Sequence, residues 1–226
     1  MTTIKLRSVH HRFGEHEVLR GIDLTLTERR IGVVGANGSG KSTFARLLNG
    51  LVVPSEGEVR IDGLDTAREA RAVRAKVGFV FQNPDNQIVM PMVEEDVAFG
   101  LKGLGLSRGE RDRLVERVLD HYGLARLRSH ASHTLSGGEK QLLALAGVLV
   151  SEPQCVVFDE PTTLLDLRNA RKVKEIIRTL DQMTIVVTHD LALLDAFDRV
   201  LVIDEGKVIA DDQPGPALAA YVERMI

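Results

Sequence analysis

Apolar positions change their spacing along the chain, and the changes mark out its organisation. Ile4, Leu6 and Val9, then Val18, Ile22, Leu24 and Leu26, predict short strands of an antiparallel opening. Ile31-Gly32-Val33-Val34 is a short apolar run, the pattern of a buried strand. A glycine-rich turn follows, then Lys41–Leu48 with helical spacing. Val59–Ile61 and Val77–Phe81 read as further strands. Between residues 82 and 149 the strand signal fades. Val93–Leu101 predicts a helix whose acidic first turn, Glu94-Glu95-Asp96, suits the helix dipole. Arg111–Tyr122 is amphipathic and strongly charged on one face, and Gly138–Val150 reads as a long apolar helix. Alternation then resumes, with strands at Val156–Phe158, Thr184–Thr188 and Val200–Ile203 and helices at Arg168–Leu180 and Leu191–Phe197. Such alternation predicts a mainly parallel sheet with helices on both faces. The fold class is therefore α/β: one domain over 1–226, with a core of 1–81 and 150–226 and a helical subdomain inserted at 82–149. After Pro214-Gly215-Pro216, one short helix at most is expected.

Composition narrows the picture. With 226 residues, 44% of them hydrophobic, the chain can bury a substantial core without disulfides or metals. The net charge of −3 gives no global electrostatic case for nucleic acid. The single cysteine, Cys155, cannot form an internal disulfide and opens an apolar run, so it reads as a buried small apolar residue in a reducing compartment. The N-terminus has no long apolar core of the secretory kind. The longest apolar stretch, around Leu142–Val150, falls short of the ~20 residues a membrane span needs. Attachment to a membrane would therefore depend on another chain. His130 and His133 have no Cys or further His close by, and read as a polar loop rather than a metal site.

Gly35-Ala36-Asn37-Gly38-Ser39-Gly40-Lys41-Ser42 matches G-x-x-x-x-G-K-[ST], with a strand before it and a helix after it. The glycines let backbone N–H groups turn inward around phosphates, and Lys41 brings a point charge to the β- and γ-phosphates. Ser42 offers a hydroxyl to Mg²⁺, and the helix aims its N-terminus at the anion. Gly35, Asn37, Gly38, Ser39, Gly40, Lys41, Ser42 and Thr43 are the expected contacts of Mg·ATP. Downstream, Val156-Val157-Phe158-Asp159-Glu160 is an apolar strand ending in two acids. Asp159 can reach Mg²⁺, and Glu160 is placed to polarise the attacking water. Leu135-Ser136-Gly137-Gly138-Glu139-Lys140-Gln141 opens the long apolar helix. Ser136 can cap that helix, and two glycines expose N–H groups at its N-terminus, making a second anion site. One chain with one ATP has no obvious use for two such sites, whereas a head-to-tail pair has.

On these motifs the chain resembles, over essentially its whole length, the ATP-binding subunit of an ABC transporter. The resemblance implies a P-loop NTPase (RecA-like) core with N-terminal antiparallel strands and an inserted α-helical subdomain. It implies that Ser136, Gly137, Gly138 and Glu139 are signature residues closing on the partner copy's ATP. Glu139 stands where Gln is commoner. It further implies that Phe13 stacks on adenine, that Gln82 is the lid glutamine sensing Mg²⁺ and water, that Asp166 lies in the loop coupling the two sites, and that His189 is the switch histidine. Glu160, His189 and Gln82 would be catalytic, and Ser42, Gln82 and Asp159 would hold the metal. Thr163-Leu164 and Leu142 depart from the commoner pattern, which carries a smaller pair at the first and Arg at the second.

Phe81-Gln82-Asn83-Pro84-Asp85-Asn86-Gln87 and Val93-Glu94-Glu95-Asp96-Val97-Ala98-Phe99-Gly100 resemble the energy-coupling-factor importers of vitamins and transition-metal ions. Within that group the short chain and the stretch Asp159–Asn169 look like the ATPase of biotin importers, with cobalt or nickel importers as runner-up. A soluble ABC ATPase outside transport is the remaining alternative. The resemblance implies a peripheral place on the cytoplasmic face of the membrane and a homodimer or paralogue dimer. It also implies a transmembrane coupling protein and a solute-binding membrane protein as partners, and no direct contact with solute or nucleic acid.

Overall fold

The computed structural model describes residues 2–225. The strands are β1 (Ile4–Phe13), β2 (His16–Leu26), β3 (Arg30–Val34), β4 (Glu56–Ile61), β5 (Leu64–Asp65), β6 (Val77–Val80), β7 (Cys155–Asp159), β8 (Met183–Val187), β9 (Arg199–Asp204) and β10 (Lys207–Asp212). The α-helices are α1 (Lys41–Leu47), α2 (Ala70–Lys76), α3 (Val93–Phe99), α4 (Arg108–His121), α5 (Gly137–Leu149), α6 (Leu167–Thr179), α7 (Leu191–Leu194) and α8 (Pro214–Met225).

Two sheets result. One has the order β2-β1-β4-β5 and is antiparallel, as the opening alternation requires; the other has the order β10-β9-β3-β8-β7-β6. In the second, β3 runs parallel to both β8 and β9, β7 runs parallel to β8, and the edge pairing of β10 with β9 is antiparallel. Every residue of β7 and β8 is buried, which explains why these strands read as continuous apolar runs rather than as alternations.

By contacts the chain forms two units. The first holds the residues up to Phe79, Gln154–Glu160, and the chain from Leu180 onward. It contains nearly all of both sheets, and its core includes Val33, Phe44, Leu47, Val157, Phe158, Ile185, Val186 and Leu201, all fully buried. The second holds Val80–Pro153 and Pro161–Thr179. It is helical, and its one bridge among the described residues outside named strands is Met92 with Ala131. There α3 and α5 approach so closely that the space of a Cβ on Gly100 is taken by the Gly147 carbonyl.

Several boundaries differ from expectation. Helix α4 begins at Arg108, because Ser107 and Glu110 form a capping box one turn ahead of the apolar periodicity. Helix α2 gives no apolar periodicity because Val73 is its one buried residue, and β10 gives none because it is a half-exposed edge strand. The C-terminal helix α8 has 12 residues and starts at Pro214, where the missing N–H costs nothing in a first turn. Helix α7 stops at Leu194, short of the expected Phe197.

Candidate functional site

The first unit brings five of the expected side chains together through strand register. Val33 of β3 and Asp159 of β7 both pair with Val187 of the intervening β8. Parallel pairing therefore sets the end of β7 level with the strand that leads into the glycine-rich turn. The last two links are backbone bonds: Glu160 N–H donates to the Val187 carbonyl at 2.9 Å, and Thr188 N–H donates to the Val33 carbonyl at 3.2 Å.

The turn itself needs glycine at Gly38, which has φ 80°, and at two further places. A Cβ at Gly35 would collide with the Ile203 carbonyl. Gly40, the N-cap of α1, has φ 103°, in the left-handed region. Lys41 is 6% exposed, and its ammonium donates to the carbonyls of Gly35 at 2.9 Å and Ala36 at 2.7 Å. Burial pulls its pKa down, while Glu160 and Asp159 oppose that pull.

Ser42 Oγ donates to Asp159 Oδ1 at 2.8 Å. The pair offers two converging hard oxygens, one of them on a carboxylate that is 2% exposed. That donor set suits a small divalent cation completed by phosphate oxygens. Among the described residues no cluster of three His, Cys, Asp or Glu is formed. Arg46 sits 3.6 Å from Asp159 Oδ2. Sequence reasoning missed it, although its position four residues after Ser42 puts both on one face of α1.

Glu160 is 6% exposed and sits at φ 51°, a strained conformation for a non-glycine residue. Its Oε1 lies 3.1 Å from His189 Nε2. The carboxylate is thus fixed at the strand end beside a half-exposed imidazole, an arrangement able to orient a water and hold its proton. Phe13 lies at the end of β1, 56% exposed, with the His11 ring edge-on at 4.6 Å.

The second unit holds the remaining candidates. Ser136 caps α5: its Oγ accepts from Glu139 N–H at 3.4 Å and donates to Glu139 Oε2 at 2.7 Å, while Ser136 N–H donates to Glu139 Oε2 at 3.0 Å. Glu139 is therefore half of a capping box, a role that an amide fills equally. It also pairs with Arg126 at 2.8 Å. Leu142, one turn later, is buried at 6% exposure. Asp166 accepts from Asn169 N–H at 2.8 Å at the start of α6, and this bond is the main cause of its depressed pKa. Gln82 is exposed, at the bend after β6. The segment that follows it is tied to α5, since Gln87 accepts from Phe81 N–H at 3.1 Å and donates to the Ala144 carbonyl at 2.7 Å. His130 and His133 are both exposed.

A family model described as ABC transporter matches residues 19–163. The chain is 61% identical over 222 residues to a protein of Deinococcus radiodurans named as a putative ABC transporter ATP-binding protein, covering 98% of each. It is 48% identical over 220 residues to the biotin transport ATP-binding protein BioM of Rhizobium etli, covering 97% of this chain and 98% of that one. It is 43% identical over 202 residues to the energy-coupling factor transporter ATP-binding protein EcfA1 of Latilactobacillus sakei, covering 87% of this chain and 71% of that one. Among solved structures, cbiO1 of Clostridium perfringens, described as part of the ABC transporter complex cbiONQ, superposes with a TM-score of 0.83 at 32% identity, over 98% of this chain and 93% of that one. A P-loop NTPase core bearing antiparallel strands and a helical subdomain, with an ATP-binding loop and relatives of this closeness, identifies the chain as a member of the ABC transporter ATP-binding family, an ATPase of the energy-coupling-factor importer type.

Proposed function

We propose that the chain energises the import of biotin, working as a head-to-tail pair that sandwiches two ATPs. The observation that carries the hydrolytic part is the contact of Glu160 with His189 at 3.1 Å, one residue beyond the Asp159–Ser42 pair. Lys41 has three N–H donors and spends two on its own loop, leaving one to meet a phosphate oxygen. Ser42 and Asp159, with Gln82, would hold Mg²⁺, which supplies charge neutralisation between the phosphates. Glu160 orients water in line with the γ-phosphate, and His189 steadies both the phosphate and the carboxylate. Phe13 stacks on the adenine. Ser136, Gly137, Gly138 and Glu139 of one copy close the site of the other, with Asp166 between the two sites. Because such catalysis is positioning and electrostatics, closure of the pair gates it.

Biotin is favoured because the 48% identical BioM relative is matched over nearly its whole length. The ATPase would sit peripherally on the cytoplasmic face of the membrane, with a transmembrane coupling protein and a solute-binding membrane protein. Among the described residues no helix is long and apolar enough to cross a membrane, so those partners would supply the anchor.

Two experiments test the proposal. Glu160→Gln should bind ATP normally, lose turnover by about 10²–10⁴-fold and accumulate an ATP-bound dimer. Turnover at the wild-type rate would remove Glu160 from its role. In the host, deleting the chain should abolish uptake of labelled biotin and spare labelled cobalt and nickel. The reverse pattern would assign the importer to a metal ion.

A further inference from the structure

Asn169 closes the stretch Asp159–Asn169 and has no site role of its own in the sequence reading, yet it touches two of the site motifs. It lies in the first turn of α6, where its N–H donates to Asp166 Oδ1 and its Nδ2 donates to Asp166 Oδ2, both at 2.8 Å. On its other side the Asn169 carboxamide fills the space that a Cβ would take at Gly138. The two signature glycines differ here. Neither has a positive φ, so backbone conformation does not demand glycine at either. Around the Cβ position of Gly137 nothing lies within 4 Å, whereas at Gly138 it is the Asn169 side chain that excludes a methyl. Ser136, two residues before Gly138, is itself fixed by its reciprocal bonds with Glu139.

We propose that Asn169 is a positioning residue that joins the start of α5 and the Asp166 loop into one body, so that Ser136, Gly138 and Asp166 reach the partner copy's nucleotide together. This rests on the head-to-tail reading above. A carboxamide suits this role, because its N–H₂ group meets a carboxylate while its planar group packs against a glycine. Asn169 thus adds a side-chain link between the two segments to the cap that each helix start has of its own. Displacement of a catalytic element by about 1 Å costs on the order of 10²-fold.

The test uses the full chain in a Glu160→Gln background, with ATP-driven assembly followed by sedimentation. The parent should dimerise with ATP; if it stays monomeric, the head-to-tail reading fails and this inference with it. Given a dimerising parent, Asn169→Ala should weaken assembly at least tenfold, while the affinity of the monomer for a fluorescent ATP analogue and the thermal midpoint stay unchanged. Gly138→Ala should block assembly in the parent and be tolerated once Asn169→Ala has vacated the space. Assembly unchanged by Asn169→Ala, or an equal penalty for Gly138→Ala in both backgrounds, overturns the proposal.

Discussion

Replacing Glu139 shows what the acid in the signature contributes. Glu139→Ala removes the acceptor of the Ser136 N–H at 3.0 Å and of its hydroxyl at 2.7 Å, and the ion pair with Arg126 at 2.8 Å. The ion pair is surface-placed, with side-chain exposures of 76% and 27%, so it contributes roughly 0–1 kcal/mol. Loss of the reciprocal half of a capping box costs about 1 kcal/mol. The sum is roughly 1–2 kcal/mol, and each kcal/mol shifts Tm by about 2–4 °C in a chain of this size. Alanine should therefore lower Tm by about 2–8 °C at neutral pH. Glu139→Gln keeps an acceptor for Ser136 and loses only the exposed pair, so its deficit should stay below about 4 °C and vanish in high salt. The pH dependence has a definite sign. Ser136 bonds hold the Glu139 carboxyl below its ordinary value of 4.5, so its contribution is complete above that value and is lost as pH falls through the depressed one. The alanine deficit should accordingly shrink in acid. Thermal denaturation followed by circular dichroism, with nucleotide omitted, reads all of these. Equal destabilisation by glutamine and alanine, or an unchanged Tm in the alanine variant, would refute the reasoning.

Two further predictions concern buried positions. Asp96 is 6% exposed, and burial raises its pKa above the ordinary 3.8, although its Oδ1 accepts from both Val89 and Met90 N–H groups. Asn can keep those two bonds without the charge. Asp96→Asn should therefore match or exceed the wild type at pH 7 and lose that advantage as pH falls through the raised value toward 3.8, in urea titrations across pH; a growing advantage in acid would contradict this. Gly35→Ala places a methyl against the Ile203 carbonyl, with an expected cost of about 1–3 kcal/mol and loss of ATP binding. Normal affinity in a calorimetric titration would show that the loop tolerates the added atom.

Local chemistry carried much of this protein in its linear order. The phosphate loop, the acid pair at Asp159–Glu160 and the serine–glycine helix start are each short segments in which side chain, turn and helix end act on neighbours. The apolar runs of β3, β7 and β8 are equally legible, because strands buried on both faces leave few polar positions to interrupt them. Weakly buried elements such as α2 and β10 gave no such pattern. What only the tertiary structure decided is contact between segments far apart in the chain. Ser42 meets Asp159 across 117 positions because β8 holds β3 and β7 in parallel register. Arg46 gains its meaning from that same approach. Asn169 reads as an ordinary helix residue until its carboxamide is found against Gly138, since sequence spacing fixes a periodicity but not which distant backbone a side chain will meet.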